Sequence, residues 1–429
     1  MKGIFQLQQH ETTFKKEVLA GLTSFFSIVY ILAVNANILK DAGIPIEAGI
    51  IATVLSSLVG CLLVAFMANA PLIIVPGMGI NALFTYTIVG SLGLNYMEAL
   101  AAVVVSGILF VIVAFTSLSS LISKAIPQSL KESITVGIGL FIAFIGLQKS
   151  GLVVGNSTNF VGLGDLSAPV VLVSIISLII TLFLFLKKVP GNFLISIVVG
   201  TVVAYFFGIV DFSSVNNSFI SFADYKNVFF SADFSNLLSF PFWIAVFSLV
   251  LVLVFENIGL LHSQVNGMLE KPEKNGPSMK AVSLSTIVCG FFGTSPSVST
   301  VETAAGITAG GRTGLTSVVT GLLFLLSLFF IPFIKLVPDT AIAPILIIIG
   351  GLMLTNIVNI DFNDFTEAFP AFLVIIMIPL TYSIVDGIAF GFIAYPLVKL
   401  FTNKQSQLSL STFIISILFL ANFLLHVVG

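Results

Sequence analysis

The chain has 429 residues, of which 57% are hydrophobic and 8% are charged, and its formal net charge is -2. Soluble domains carry about 25% charged residues, so this composition excludes an ordinary water-soluble protein, and the charge does not imply nucleic-acid binding. A bilayer core of roughly 30 Å needs about 20 apolar residues per spanning helix, and such runs fill nearly the whole chain. We therefore predict an all-α polytopic membrane protein, embedded in a lipid bilayer, with no separate soluble domain.

The first half of the chain contains seven predicted spans. The basic and polar stretch 1–16 leads into an apolar segment without a small-residue cleavage site, so we expect this segment to be retained as the first span. Hydropathy and the Gly, Pro and charge breaks predict spans near 18–39, 46–69, 71–91, 97–118, 131–148, 168–187 and 190–209. A polar external loop, 211–239, follows them.

The second half repeats this number of spans. They are predicted near 241–264, 279–293, 297–312, 314–337, 341–358, 366–384 and 386–401. A further apolar stretch, 408–428, is either an extra span or an interfacial helix, and both readings remain open.

The distribution of basic residues predicts the orientation. With the N-terminus in the cytoplasm, the Lys and Arg groups between spans fall on the cytoplasmic side of the membrane, as the positive-inside rule requires. These groups are Lys15/Lys16, Lys124/Lys131, Lys187/Lys188, Lys271/Lys274/Lys280, Arg312 and Lys399/Lys404. Seven spans per half place two homologous halves in opposite orientations, which is the 7+7 inverted repeat of many secondary transporters.

Two interruptions occur at corresponding places in the two halves. Pro76 breaks the third span of the first half, and Pro296 breaks the third span of the second half. Backbone that leaves the helix at membrane depth is tolerated where protein or a water-filled cavity satisfies its polar groups. Gly and Pro are common in membrane helices, but a matched pair of breaks predicts a central binding site.

Two acidic residues lie inside predicted spans without a Lys or Arg nearby in sequence. Glu256 lies deep in the eighth span, and Glu302 follows the Pro296 break. An intramembrane carboxyl is costly, so it is a functional candidate that suits proton exchange and accepts two adjacent hydrogen bonds from a heterocycle. The alternative is that one or both acids tie helices together.

Uncharged polar and aromatic residues near the breaks complete the candidate set. Asn35 lies in the first span and Asn81 after the first break, and Thr303 follows Glu302. Phe84 offers a flat face on which a planar base could stack. Each polar residue alone is equally consistent with interhelical hydrogen bonding. Both cysteines lie in apolar runs, so neither a disulfide framework nor a metal site is expected.

Several motifs resemble the nucleobase:cation symporter family, in particular its adenine/guanine/hypoxanthine permease branch. The similarity covers essentially the whole chain. The matching runs are EVLAGLT at 17–23, PGMGINA at 76–82, GTSP at 293–296, ETAAG at 302–306, GGRTG at 310–314, PLTYSI at 379–384 and GIAFGF at 387–392.

The resemblance implies a fourteen-helix fold with a core domain (1–118 and 241–337) and a gate domain (119–240 and 338–429). Short extended segments in spans 3 and 10 would hold the base, and the core would move against the gate like an elevator. Glu256 and Glu302 match the two base-binding acids, and backbone near Gly79 and Ile80 would complete the pocket. We place Asn257, Val301 and Thr303, the neighbours of these acids, in the same predicted site.

These observations predict a permease that imports hypoxanthine, guanine or adenine with a proton and needs no other cofactor. The branch usually carries Asp-Thr in span 8, whereas this chain has Glu256-Asn257, so xanthine or uracil remains an alternative base. An anion carrier on the same fold is a second alternative, which the two acids disfavour. No metal cluster or nucleophile with its base indicates an enzyme. The resemblance makes a homodimer plausible.

Overall fold

The computed structural model describes residues 4–116, 118, 126–156, 160–212 and 222–428, so Lys124 lies outside the described residues. Within these ranges nine helical stretches are long and apolar enough to cross a membrane. They are Phe14–Asp41, Ile46–Ala68, Tyr96–Phe115, Gln128–Lys149, Pro169–Leu186, Phe240–Met268, Gly314–Ile334, Asp339–Asn359 and Ile384–Phe401. The chain is therefore a mostly helical, multi-pass membrane protein, and the finer count of fourteen spans stays a prediction.

The first half of the described chain contains helices and three short strands. They are α1 (Phe14–Ile28), α2 (Ile31–Asp41), α3 (Ile46–Ala68), β1 (Ile74–Pro76), α4 (Met78–Ala82) with a π-helical continuation (Leu83–Ser91), α5 (Tyr96–Phe115), α6 (Gln128–Lys149), β2 (Val153–Asn156), β3 (Phe160–Leu163), α7 (Pro169–Leu186), α8 (Asn192–Phe206) and α9 (Ala223–Val228).

The second half begins after Ser239, whose side chain accepts a hydrogen bond from the Phe242 N–H. Its elements are α10 (Phe240–Leu261) with a π-helical continuation (His262–Met268), a 3-10 turn (Pro272–Lys274), α11 (Asn275–Phe292), β4 (Ser297–Ser299), α12 (Thr303–Thr308), α13 (Gly314–Leu326) with a 3-10 turn (Ser327–Phe330), α14 (Ile331–Ile334), α15 (Asp339–Met353) with a 3-10 turn (Leu354–Asn359), α16 (Phe365–Thr381), α17 (Ile384–Phe401), a 3-10 turn (Gln405–Gln407) and α18 (Leu410–Val428).

Side-chain caps fix where several helices begin. The Asn95 side chain accepts from the backbone N–H groups of Met97 and Glu98, while the Glu98 carboxylate accepts from the Asn95 N–H, which forms a capping box at the start of α5. Such a cap satisfies donors that the first helical turn leaves without partners. The polar residues at 95 and 98 therefore end the preceding loop and start the span.

An extended segment lies at each of the two predicted breaks. β1 pairs antiparallel with β4, with Val75 opposite Val298 at the centre and Pro76 opposite Ser297 at one end. All residues of both strands are buried. Pairing supplies hydrogen-bond partners to backbone that is not helical, which is the condition for such backbone at membrane depth. A second pair, β2 and β3, forms a hairpin.

One compact unit comprises Met1–Thr116 and Gln148–Ile345 and contains the β1–β4 pair. At one end of this unit a buried polar network surrounds Glu17, whose two carboxylate oxygens accept from the N–H groups of Arg312 and Thr313. Lys274, also buried, donates to the backbone carbonyls of Asn69 and Arg312. The network joins the start of α1, the end of α3 and the start of α13.

The second compact unit comprises Ser117–Leu147 and Leu346–Gly429. Its Lys399 is fully buried and pairs with Glu367 at 2.7 Å. The same ammonium donates to Thr366 Oγ1 at 2.8 Å and Gln407 Oε1 at 2.7 Å, so all three of its hydrogens have acceptors. A second pair in this unit, between Lys404 and Asp364, is partly exposed. The predicted division into core and gate domains remains a separate proposal.

Candidate functional site

The candidate site is built around the β1–β4 pair. Beyond β1 the chain re-enters a helix at Met78, and beyond β4 it re-enters one at Thr303. The first amides of each of these helices have no acceptor within the helix itself. The strands thus bring together two helix starts that are more than 200 residues apart in the chain.

Gly77, which follows β1 directly, lies where three elements approach closely. A Cβ at this position would be 2.6 Å from Val298 Cγ2 of β4 and 3.7 Å from Glu256 Oε1 of α10. The first distance is too short for any side-chain carbon, so only glycine fits here without a shift. The same geometry places the Glu256 carboxylate next to the start of α4.

Glu256 is half-buried, and among the described residues its carboxylate has no hydrogen bond or ion pair. Glu302 is half-buried as well and lies three residues past the end of β4. Its Oε1 accepts a 2.5 Å hydrogen bond from the Tyr30 hydroxyl. The site therefore contains two acids, of which one is held by a protein donor and the other is free of protein partners in the described chain.

Asn257, predicted in the same site, is fully buried and contacts β4. Its Oδ1 accepts from the Ser299 N–H at 3.2 Å, and its Nδ2 donates to the Leu253 carbonyl at 2.9 Å. Gln264, seven residues further along the chain, accepts from Ser299 Oγ at 2.6 Å and donates to the Thr300 carbonyl at 2.7 Å. These bonds fasten α10 and its π-helical continuation to β4.

Thr303 and Asn81 also make protein contacts on the buried side of the junction. Thr303 Oγ1 accepts from the Ile73 N–H at 3.1 Å, which ties the start of α12 to the residue before β1. Asn81 Oδ1 accepts from Ser295 Oγ at 2.5 Å, and its Nδ2 has no partner in the described chain.

The remaining predicted site residues differ in exposure. Asn35 is buried and donates to Thr53 Oγ1 at 2.8 Å and Thr294 Oγ1 at 3.1 Å. Gly79, Ile80 and Phe84 are also buried, whereas Val301 is 62% exposed. All of these residues belong to the first compact unit. Their participation in substrate binding stays a prediction.

Two residues of the junction, Gln264 and Tyr30, are not among the predicted site residues. Gln264 is a polar residue at the last position of the predicted span 241–264. A polar residue at the end of an apolar span is the sequence feature that could have indicated its role. Tyr30 lies inside the first span, where an aromatic residue is ordinary, and the sequence carries no sign of its bond to Glu302, which is 272 residues away.

Comparisons with known proteins identify the class to which this fold and site belong. The permease family model Xan_ur_permease matches residues 15–390. The chain belongs to this family, the nucleobase/ascorbate transporter family, which confirms the resemblance seen in the motifs.

Several bacterial relatives match most of the chain. It is 50% identical over 384 residues to the nucleobase transporter PlAzg2 of Paenibacillus larvae, covering 89% of this chain and 77% of the relative. It is 37% identical over 437 residues to the guanine/hypoxanthine permease PbuO of Bacillus subtilis (97% and 98% covered). It is 36% identical over 425 residues to the adenine permease AdeQ of Escherichia coli (98% and 95% covered). These relatives are transporters and not enzymes.

Solved structures share the fold at low sequence identity. The transmembrane domain of the cyanobacterial bicarbonate transporter BicA superposes with a TM-score of 0.67 at 16% identity, covering 87% of this chain and 97% of that domain. The structure of SLC26A9 gives a TM-score of 0.66 at 15% identity, with 90% and 65% covered. This likeness establishes the fold alone.

Proposed function

We propose that this protein is a secondary transporter that imports a purine nucleobase, namely hypoxanthine, guanine or adenine, by proton symport. Its family membership supports the transporter class, and its similarity to nucleobase, guanine/hypoxanthine and adenine permeases supports the class of cargo. We further propose alternating access by an elevator-like movement of a core domain (1–118 and 241–337) against a gate domain (119–240 and 338–429).

The observation that carries the proposal is the pair of half-buried acids at the β1–β4 junction. The Glu256 carboxylate lies next to Gly77 and has no hydrogen-bond or ion-pair partner among the described residues. In Glu302, Oε1 accepts from Tyr30, and Oε2 does not take part in that bond. A carboxylate accepts two N–H groups side by side, and guanine presents such adjacent donors on one edge. The amides near Gly79 and Ile80 would supply donors to the carbonyl of the base.

The same two acids would carry the coupling proton. Removal from water without a countercharge disfavours the charged form of a carboxyl, so such a group can bind a proton that an ion-paired carboxylate would not. Proton binding at Glu256 or Glu302 would then change the hydrogen bonds available to the base, which couples the two cargoes. The proton is the only cofactor in this proposal.

The other predicted residues would act around the bound base. Val301 and Phe84 would contribute apolar contact, while Asn35, Asn81, Asn257 and Thr303 would hold the extended segments in position through their hydrogen bonds. We assign these positioning roles to the four polar residues because each already bonds to another part of the protein.

We propose the bacterial-type cell membrane as the location, with the N-terminus in the cytoplasm. The clustering of Lys274 and Arg312 with the start of α1 supports a common side for these basic residues. We also propose that the protein forms a homodimer, because the family resemblance implies one.

A different base or an anion is the alternative cargo. The Glu256-Asn257 pair in place of the usual Asp-Thr is the feature that would favour xanthine or uracil. An anion is disfavoured because two carboxylates at the junction would repel it.

The test is uptake of labelled hypoxanthine, guanine, adenine, xanthine and uracil into cells that lack their own permeases, with and without a protonophore. Saturable uptake of a purine that the protonophore abolishes is the expected result. Uptake of uracil or xanthine alone would replace the cargo, and purine uptake that ignores the protonophore would remove the proton from the mechanism.

A further inference from the structure

Tyr30 occupies the interruption between α1, which ends at Ile28, and α2, which begins at Ile31. Its side chain is 2% exposed. The hydroxyl donates to Glu302 Oε1 at 2.5 Å, and the ring makes an edge contact with Phe193, with centroids 5.0 Å apart and an interplanar angle of 71°. One side chain therefore contacts both a candidate base-binding acid and the first turn of α8.

The Tyr30 hydroxyl constrains the orientation of the Glu302 carboxylate. A hydrogen bond from a neutral donor to a carboxylate is charge-assisted, so it fixes the rotamer of the acid more firmly than a neutral bond would. It also occupies one of the acceptor positions of Oε1, so another donor must use the remaining acceptor positions of the carboxylate. The bond thus selects the edge of the carboxylate that a ligand meets.

The ring extends the contact away from the site. Phe193 is buried and also stacks on Phe185 of α7, with centroids 6.0 Å apart and rings 14° from parallel. At the same junction a Cβ on Gly191, the N-cap of α8, would lie 3.3 Å from the Phe26 carbonyl of α1. The start of α8 is therefore packed closely against the helix that ends next to Tyr30.

We propose that Tyr30 is a positioning residue with two separable functions. Its hydroxyl orients Glu302 toward the base, and its ring transmits the state of Glu302 to α8 through Phe193. The inference rests on the proposed function, because it requires a nucleobase at Glu302. If Tyr30 were purely structural, with a hydroxyl that merely donates to a buried acceptor, removing the hydroxyl and removing the ring contact would not change KM and Vmax separately.

The test compares two variants that each remove one function. Tyr30→Phe keeps the ring and removes the hydroxyl, whereas Phe193→Leu keeps the hydroxyl and removes the aromatic contact. We measure KM and Vmax for labelled hypoxanthine, guanine and adenine uptake at matched membrane levels of protein. Tyr30→Phe is expected to raise KM about tenfold, the effect of losing one hydrogen bond to a charged group, with little change in Vmax. Phe193→Leu is expected to lower Vmax several-fold at unchanged KM.

A binding measurement on purified protein checks that the hydroxyl acts through Glu302. Tyr30→Phe should weaken hypoxanthine binding in the wild-type background and have no further effect in a Glu302→Gln background. Equal losses in both backgrounds would overturn the inference. So would a Tyr30→Phe variant with wild-type KM, or a Phe193→Leu variant with wild-type Vmax.

The outcomes separate this inference from the proposed function. If the wild type takes up no purine, the proposed function fails and the Tyr30 inference fails with it. If the wild type transports, Glu302→Gln does not, and Tyr30→Phe retains the wild-type KM, then the Tyr30 inference alone is wrong. If Tyr30→Phe does not accumulate in the membrane, Phe193→Leu decides the ring function by its KM and Vmax.

Discussion

The Ser299 N–H donates to Oδ1 of Asn257 at 3.2 Å, which joins α10 to the last residue of β4. Because the Asn257 amide also donates to the Leu253 carbonyl, both of its polar ends are directed at protein backbone. Asn257 therefore attaches β4 to α10, the helix that also carries the neighbouring acid Glu256.

Replacing Asn257 by Ala should destabilise the fold more than it alters recognition. The change leaves the buried Ser299 N–H without an acceptor, at a cost of about 1–3 kcal/mol. We expect a melting temperature several degrees lower for the purified variant, with hypoxanthine affinity changed less than in Glu256→Gln. An unchanged melting temperature together with a large loss of affinity would place Asn257 in direct contact with the base instead.

Glu256→Gln and Glu302→Gln should each abolish purine uptake while leaving the protein inserted in the membrane. Each amide keeps the side-chain volume but replaces one acceptor oxygen by a donor and removes the proton-binding group. Uptake and surface quantity are measured together. The matched control is Glu270→Gln, an exposed acid between α10 and α11, which should transport normally. Normal transport by both site variants would contradict the site assignment.

Gly77→Ala should lose most transport activity, because its Cβ would lie 2.6 Å from Val298 Cγ2 and force β1 and β4 apart. Removing the obstructing methyl groups with Val298→Ala leaves the new carbon 3.7 Å from Glu256 Oε1, an ordinary contact. We therefore expect the double variant to recover uptake relative to Gly77→Ala. Gly259→Ala is the control, since a Cβ there meets nothing within 4 Å. Failure of rescue would show that the loss has another cause.

The stability of the protein should depend on pH through Lys274. Burial lowers the pKa of its ammonium to about 8, with Glu273 and Glu17 opposing the shift and Lys271 adding to it. Between pH 8 and about 10.5 the unfolded chain holds a proton that the folded chain has released, so the contribution of Lys274 to stability rises with pH in this window. The melting temperature of the wild type, relative to Lys274→Gln, should rise from pH 8 to 10. A difference in melting temperature that does not change with pH would contradict the lowered pKa of Lys274.

Lys399→Met should destabilise the second compact unit by about 1.5–3 kcal/mol, because the Glu367 carboxylate loses its bond to a fully buried ammonium but keeps the Ser129 and Tyr395 hydroxyls as donors. Combining it with Glu367→Gln should restore much of the melting temperature. The control is Lys404→Met, which breaks a partly exposed ion pair with Asp364 worth about 0–1 kcal/mol. Equal losses from the two lysine variants would argue that burial is not the cause.

The sequence predicted the features that a single segment encodes. Pro76 and Pro296 interrupt apolar runs, and the structure has an extended segment at each break. Glu256 and Glu302 stood out because an acid in an apolar span is rare. The partners of Asn257 and Tyr30 were not predictable, since they depend on which distant strand or acid each side chain meets.

The pairing of β1 with β4 also bears on how the protein is made. Each strand has three residues, and each finds its partner in the opposite half of the chain. While the ribosome has delivered only the first half, the backbone of Ile74–Pro76 has no strand to bond with, and lipid offers none. We therefore expect the third span to enter the bilayer fully only after the tenth has been synthesised. A chain truncated before Ser297 would lack the partner of β1, and we expect membrane quality control to degrade it.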